Sequence, residues 1–323
     1  MNDHTLAEVN SGKSDSAAVL EARLAEIEAG ILDPYAFTSR TLIQATFPHS
    51  AKAGEKIVLV NGNMRVTMFS PSGLPYGVYP RLIMCWLTKE AIRRKALPID
   101  EARTIPLGSS LADFMRDLGM QSFSGGKSGN ISRLRAQMAA LFSTFISVQT
   151  TGASDIEDMP GSFHQIENTA IAESAMLWWD PKAPDQMTLH DSAVTLSKNF
   201  YLDLIGSAVP LDNRILREIK RSPMAIDLYC WLTYRFSYHR GLTVVTWDQL
   251  SGQFGAGYPS DAQGKRNFKK KISAALEKVL VAWPEAAVSV TQHGLMLRSG
   301  EPSVPKKLQE SIREHFDGGA PKF

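Results

Sequence analysis

The chain has 323 residues, of which 44% are hydrophobic and 21% charged, a composition typical of a soluble globular protein with about two domains. It has no apolar run long enough to span a bilayer and no signal-like beginning, and two cysteines are too few for a disulfide framework or a zinc finger. We expect a cytoplasmic protein without metal or cofactor. The net charge of +2 is uneven: residues 1–34 carry seven acids and two bases, so the remaining chain carries +7, which favours an anionic partner.

Two segments precede the informative part of the chain. Residues 1–15 are polar and predict a disordered tail, and apolar residues at helical spacing predict a helix over Ser16–Ile31, in a region that ends at residue 34. The apolar stripe of this helix suits either the body of the protein or a second copy of itself. Glu55–Ser70 predicts a β-hairpin, because two β-rich runs flank Asn61-Gly62, a dipeptide that tolerates the positive φ angles of a tight turn.

The next elements occur in an order that recurs later. They are a helix over Tyr79–Lys95, a strand over Thr104–Gly108, a short helix capped by Ser110 and closed by Gly119, a Gly/Ser loop, a long helix from Ile131 to about Thr144, the strand FISVQT, and a second β-like run near Ala170–Trp179. The acidic stretch from Ala153 to Asp185, which includes that last run, predicts a solvated loop, with shielding of an edge or a protein contact as alternatives.

The second series begins at Ser222, which precedes a proline at the first helical position. It comprises a helix to about His239, a strand over Leu242–Thr246, a short helix capped by Thr246 and closed by Gly255, a Gly/Ser loop, a long helix from Lys265 to about Val281, and a hairpin whose strands flank Gln292–Gly294.

The two series predict one architectural unit built twice. The four residues CWLT occur in both first helices and contain the only cysteines, Cys85 and Cys230, which lie among apolar neighbours and are expected to be buried. We expect Trp86 and Trp231 to fill equivalent core positions. A helix-turn-helix closed by a β-ribbon is a winged helix, so we predict an α+β fold with tandem winged-helix domains over residues 35–184 and 185–305, followed by a C-terminal tail over 306–323.

In a helix-turn-helix the helix after the turn enters the major groove, so both long helices are candidate DNA-binding elements. On the second, basic and amide residues surround the apolar stripe of Phe268, Ile272 and Leu276 without an intervening acid, although a merely solvated basic face would have the same pattern. The lysines suit phosphates, and Arg266 and Asn267 suit base edges. The predicted contacts of this helix are Lys265, Arg266, Asn267, Lys269, Lys270 and Lys271.

The first long helix and the second ribbon supply further candidates. The first long helix and the loop before it are less basic than the second, and an ordinary helix with surface arginines is the alternative. The predicted DNA contacts of this helix and loop are Lys127, Ser132, Arg133, Arg135 and Gln137. In the second ribbon, His293 and Arg298 are predicted to reach a groove or the backbone, although His293 also suits a plain turn residue. The basic segment Pro210–Arg221 either presents cations to DNA or is a solvated linker helix.

No catalytic pattern emerges from the sequence. QSFSGGKS resembles a nucleotide-binding P-loop, but Gln121 occupies the position of the first required glycine, and the segment follows a helix rather than a strand. The seven histidines show no metal-ligand spacing, and no nucleophile motif or pair of carboxylates on one face occurs. We therefore predict a protein that is not an enzyme.

Several of these segments resemble RepA-type plasmid replication initiators, over a range from about Phe37 to Arg298. The most specific is VPLDNRILREIKRSPMAIDLYCWLTYR, with GLPYGVYPRLIMCWLTKEAIRRK, IPLGSSLADFMRDLGM and GNISRLRAQMAALF in the first half. The resemblance implies binding to repeated origin sequences (iterons), help in opening the adjacent duplex, and recruitment of the host replication initiator and helicase. It also implies a dimer that represses and a monomer that initiates. The alternatives are a winged-helix transcriptional repressor and an ATP- or metal-dependent origin enzyme.

Overall fold

The computed structural model describes residues 34–44, 46–108, 110–120, 122–126, 129–154, 161–179, 183–186 and 192–310. The predicted tail over residues 1–15 and the predicted helix over Ser16–Ile31 lie outside these residues. So does most of the predicted C-terminal tail, of which residues 306–310 are described and helical. The described chain is an α+β protein, as predicted.

The first half contains, in order, β1 (Tyr35–Ser39), α1 (Arg40–Gln44), β2 (Lys56–Asn61), β3 (Met64–Phe69), α2 (Val78–Arg93), α3 (Ile99–Ala102), β4 (Thr104–Pro106), α4 (Leu111–Asp117), α5 (Asn130–Phe142), β5 (Phe145–Ser154), β6 (Gly161–Ala170), β7 (Ala172–Met176), β8 (Ala193–Leu196) and α6 (Lys198–Gly206). The second half contains β9 (Ala208–Asp212), α7 (Asn213–Ile219), α8 (Pro223–Tyr238), β10 (Thr243–Thr246), α9 (Trp247–Phe254), α10 (Ala262–Ala282), β11 (Val288–Val290) and β12 (Gly294–Leu297).

The predicted hairpin is confirmed as β2 and β3, which pair antiparallel about a turn in which Gly62 has a φ of 60°. Two further strands extend it into a sheet of order β2-β3-β5-β6. The prediction of a solvated loop for the acidic stretch is wrong where β6 forms. β6 pairs with all ten residues of β5, from Phe145 opposite Ala170 to Ser154 opposite Gly161. Its side chains from 164 to 168 are exposed, which explains why this strand has a polar sequence like that of a loop.

Two small three-stranded sheets have the same topology: in each, the last strand in sequence lies between the other two. The orders are β4-β8-β7 in the first half and β10-β12-β11 in the second. The first ribbon therefore differs from the prediction: the strand after α5 pairs with β3 and β6, and the partner of β4 is β8. The sequence analysis did not predict β8, which is only four residues long. It also lies beyond the predicted domain boundary at residue 184, although it pairs with β4 and β7.

The predicted helix caps are largely confirmed. The Ser110 hydroxyl accepts a hydrogen bond from Asp113 N at 3.1 Å, and Thr246 forms a reciprocal capping box with Gln249. Ser222 precedes α8 without a side-chain cap, and Pro223 begins that helix. The helix α10 begins three residues earlier than predicted, because Asp261 Oδ1 accepts a hydrogen bond from Gly264 N at 2.6 Å and so caps it.

The two tryptophans of the CWLT copies occupy equivalent positions, as predicted. The Trp86 ring meets Phe114 of α4 edge to face at 5.1 Å, and the Trp231 ring meets Phe254 of α9 in the same way at 5.8 Å. Each pair ties the first helix of a repeat to the short helix that follows. Trp231 is 5% exposed, whereas Trp86 is only half-buried.

A buried ion pair joins α2 to α8, the two helices that contain the CWLT copies. The Arg81 guanidinium donates to both carboxylate oxygens of Asp227 at 2.7 and 2.6 Å, and the two side chains are 4% and 9% exposed. Arg81 also donates to the carbonyls of Phe47 and Gly77, each at 2.6 Å, and His49 Nε2 lies 2.8 Å from Asp227 Oδ2. The orientation of the two repeats is thus fixed partly by a desolvated charge pair.

Antiparallel pairing of β1 with β9 forms a second link between the halves. Cys85 and Cys230 lie in the same apolar cluster at this junction, both as free thiols that are 6% exposed. Burial raises the pKa of Cys85 to about 12 and that of Cys230 well above its usual value. Both cysteines are therefore buried apolar residues, as the sequence predicts.

Candidate nucleic-acid interface

The helix α10 separates its apolar and basic residues as the sequence predicts. Phe268, Ile272 and Leu276 are 0–2% exposed and belong to the core of the second half. Arg266 and Lys270, one turn apart, are exposed on the opposite face. The other predicted contacts of this helix are also exposed: Lys265, Asn267, Lys269 and Lys271.

A glutamine that the sequence analysis missed organises the first turns of α10. Gln263 Oε1 accepts from Arg266 Nη2 at 2.7 Å, and Gln263 Nε2 donates to Asn267 Oδ1 at 3.0 Å. These contacts limit the rotamers of both side chains that are shaped for base edges. The cap at Asp261 was the available signal, because it extends the helix to include Gln263.

A tryptophan that was also missed connects α10 to the tip of the β11–β12 hairpin. Trp247 Nε1 donates to the carbonyl of Gln292 at 2.9 Å, and Trp247 N donates to the carbonyl of His293 at 3.2 Å. The ammonium group of Lys269 lies over the Trp247 ring, 4.8 Å from its centroid. Trp247 thus holds the hairpin tip beside the basic helix, and exposed His293 belongs to this same surface.

The remaining cations of this surface differ in their partners. Lys265 Nζ lies 3.3 Å from Asp248 Oδ1, an exposed ion pair that solvent weakens. Among the described residues, Lys270 and Lys271 form no hydrogen bond or ion pair, so their ammonium groups are available to an external anion. Arg298 is exposed at the end of β12, and its backbone NH donates to Ala287 O at 2.9 Å.

The corresponding surface of the first half is smaller. Arg133 is exposed and Arg135 half-buried, on opposite flanks of α5, with the small residues Ser132 and Ala136 between them. The Ser132 hydroxyl donates to Gly126 O at 2.7 Å and so holds the Gly/Ser loop on the start of the helix. Burial raises the pKa of Tyr79, and the positive charge of Arg133 partly opposes this shift.

One predicted contact of α5 faces the interior. Gln137 is 6% exposed, and its Oε1 accepts a hydrogen bond from Tyr76 N at 2.6 Å. The prediction that Gln137 contacts DNA is therefore wrong, because this side chain is buried and its amide oxygen accepts from the backbone NH of Tyr76 instead. The sequence pattern failed here because Gln137 is polar but lies on the apolar side of the helix. Lys127 lies outside the described residues.

The basic segment before α8 forms the helix α7. Ile215 and Ile219 are buried in the core of the second half. Arg214 is paired with Asp212, at 2.8 Å between Nη2 and Oδ2, and Lys220 Nζ donates to Gly119 O at 2.9 Å. Two of the basic side chains of this segment, Arg214 and Lys220, therefore make contacts within the protein.

The described residues offer neither a cluster of metal ligands nor a membrane-spanning helix. They contain no group of three or more His, Cys, Asp or Glu side chains that could hold a metal ion. They also contain no helix that is both long and apolar enough to cross a bilayer.

Comparison with known proteins gives a family and two solved structures. No curated protein matches the chain. Two crystal structures of domains 2 and 3 of RctB are similar to it. The first, a selenomethionine derivative, is 12% identical to this chain with a TM-score of 0.47, and the match covers 74% of this chain and 82% of the RctB chain. The second is 14% identical with a TM-score of 0.45, and the match covers 73% of this chain and 82% of the RctB chain. The family model described as plasmid encoded RepA protein matches residues 74–249, more than half of the chain. The chain therefore belongs to the family of plasmid-encoded RepA proteins.

Proposed function

We propose that this plasmid replication initiator binds repeated sequences at its origin through two winged-helix units, one in each half of the chain. The observation that carries the proposal is the surface formed by α10, Trp247 and the β11–β12 hairpin, on which all the predicted side chains are exposed. Family membership adds the context of replication initiation.

The winged-helix assignment rests on element order and strand order together. Each half has a first helix, a strand, a short helix, a long helix and two further strands, and in each small sheet the last strand lies between the other two. In the first half, β5 and β6 are inserted between the long helix and the ribbon. We also propose a boundary near residue 206, because α6 contributes Phe200, Tyr201 and Leu204 to the core of the first half.

The side chains of α10 have distinct proposed roles. Arg266 and Asn267, held by Gln263, contact base edges, while Lys265, Lys269, Lys270 and Lys271 contact phosphates. His293 and Arg298 contact the backbone or a groove beside the helix. In the first half, Ser132, Arg133 and Arg135 make the contacts, and Lys127 of the loop meets phosphate. Two units in one body would span adjacent segments of the major groove.

Substitutions on α10 test this proposal. Lys270→Ala is expected to weaken binding to all duplexes and to make the dependence of log K on log salt shallower by about one unit. Arg266→Ala is expected to relax sequence preference at a cost of about 1–3 kcal/mol on the preferred site. Lys278→Ala, an exposed lysine farther along the same helix, is the matched control. Equal binding by the Arg266→Ala/Lys270→Ala protein and the parent would refute the site.

The host replication initiator and helicase are the proposed protein partners, and a homodimer is the proposed repressing form. A plain transcriptional repressor would share the same DNA-binding surface. An origin enzyme would differ in chemistry, so incubation with ATP, Mg²⁺ and supercoiled origin DNA separates the classes. We expect neither nicking nor ATP turnover; either would favour the enzyme.

A further inference from the structure

A groove with an apolar floor lies where the two halves of the protein meet, and we call it the junction groove. Leu82 and Trp86 of α2 line its floor from the first half, and Leu216 of α7 lines it from the second, together with Leu118 after α4. Trp86 is only half-buried here, whereas its counterpart Trp231 is 5% exposed. The first repeat thus leaves partly uncovered the ring that the second repeat buries.

The rim of the junction groove is mainly basic. Its charged members are Lys89, Arg116, Asp117, Arg217 and Lys220. Arg116 has two carboxylate partners, and Lys220 donates to a backbone carbonyl. Arg217 is exposed, and among the described residues it forms no hydrogen bond or ion pair. The groove therefore suits an occupant that is apolar toward the floor and acidic beside Arg217.

The described chain enters the structure at this groove. Tyr35 and Ala36 line it, and the carbonyl oxygen of Pro34 accepts a hydrogen bond from Asn213 N, at the start of α7, at 2.8 Å. Even a fully extended chain covers only about 10–11 Å from Ile31 to Pro34. The last residues of the predicted N-terminal helix must therefore lie close to the groove.

The predicted N-terminal helix has a composition that matches the groove. Its apolar stripe is Leu20, Leu24, Ile27 and Ile31, and the carboxylates of Glu21, Glu26 and Glu28 flank that stripe. Residues 1–34 as a whole carry seven acids against two bases. An amphipathic helix commonly lays its apolar face into a hydrophobic groove, and here the flanking carboxylates also complement a basic rim.

We propose that residues 16–33 occupy the junction groove of their own chain, with the apolar stripe on the floor and the carboxylates beside Arg217. The same chain supplies the segment because covalent attachment at Pro34 gives it an effective concentration in about the millimolar range. Since both halves contribute to the floor, the docked segment adds a link between them to the pairing of β1 with β9. This docking is independent of DNA binding.

Oxidation of Trp86 by hydroxyl radicals, measured by mass spectrometry, tests whether the stripe covers the floor. Leu24→Glu/Ile27→Glu places two charges in the stripe, so the oxidation rate of Trp86 is expected to rise several-fold while that of Trp231 stays slow. Ala22→Glu/Ala25→Glu adds the same charges on the opposite face of the predicted helix and should leave both rates as in the parent. An unchanged Trp86 rate in the stripe variant would overturn the proposal.

Carbodiimide crosslinking, which joins a carboxylate to a neighbouring amine, locates the segment in the unaltered protein. Crosslinks are expected from the acids of residues 21–33 to Lys89 or Lys220 and not to Lys278, which is exposed on α10. In a mixture of labelled and unlabelled protein each crosslink should join peptides of one isotope. Mixed crosslinks would place the segment of a second copy in the groove, and the absence of crosslinks to both lysines would leave the groove without this occupant; either result overturns the proposal. If the stripe variant also oxidises rapidly at Trp231, it has unfolded, and the crosslinks of the parent decide.

Discussion

Removing one partner of the Arg81–Asp227 pair is expected to destabilise the protein far more than removing both. Arg81 donates to Asp227 through two bonds of 2.7 and 2.6 Å, in a setting where the side chains are 4% and 9% exposed. Asp227→Leu leaves the guanidinium buried with only backbone carbonyls as acceptors. Loss of one partner of a buried pair costs about 3–5 kcal/mol.

The double variant Arg81→Met/Asp227→Leu supplies the comparison. Replacing a buried pair by apolar residues of similar volume is often neutral or stabilising, so we expect it to lie within about 1–2 kcal/mol of the parent. The coupling free energy in the double-mutant cycle is then several kcal/mol. Urea unfolding followed by tryptophan fluorescence gives all four free energies of unfolding.

This reasoning fails under either of two results. A cost below about 1 kcal/mol for Asp227→Leu would mean that the carboxylate is not desolvated as the structure indicates. Strict additivity of the single variants would mean that Arg81 and Asp227 do not interact in solution. Lys278→Ala, which alters an exposed residue of α10, should change the free energy of unfolding by less than about 0.5 kcal/mol.

Three further predictions concern acid stability, the hairpin contact of Trp247 and the two thiols. Burial raises the pKa of Asp227, but Arg81 and His49 outweigh burial, so the pKa in the folded protein is lowered. The unfolded chain therefore binds this proton more readily than the folded protein does. The stability that this carboxylate contributes is full above about pH 4 and should fall as the pH drops through the folded pKa. Acid unfolding curves in which parent and Asp227→Asn stay equally far apart at all pH values would contradict this. Trp247→Phe removes the Nε1 bond to Gln292 but keeps a ring beneath Lys269, so duplex affinity should fall roughly 2- to 12-fold in anisotropy titrations, and an unchanged affinity would argue against a positioning role. Cys85, with its pKa raised to about 12 by burial, and Cys230 should react with a thiol reagent at pH 7.5 only as the protein unfolds, whereas rapid labelling of the folded protein would exclude their burial.

The repeat was predictable because its signals are local. Periodic apolar residues place α2, α8 and α10, the Asn61-Gly62 turn places the β2–β3 hairpin, and Ser110 and Thr246 cap the helices that follow them. Each feature depends on a few neighbouring residues. The agreement of many such features in one order is what identified the repeated unit.

The errors arose where distant contacts decide the structure. The strand β6 has polar exposed side chains and forms because β5 offers a long edge, a relation that no local pattern encodes. Glutamine is usually a surface residue, but Gln137 is buried because its amide oxygen accepts a hydrogen bond from the backbone NH of Tyr76. The Arg81–Asp227 pair joins residues 146 apart in sequence, so nothing near either residue predicts it.

Footprinting on the DNA beside the gene tests the proposed function most directly. The parent protein should protect a ladder of evenly spaced repeats, and the Arg266→Ala/Lys270→Ala protein should lose that ladder while Lys278→Ala retains it. The same ladder with both variants would place the contact surface elsewhere. A single palindromic footprint would favour a repressor, and no protection at any concentration that leaves the protein folded would contradict the proposal of an origin-binding initiator.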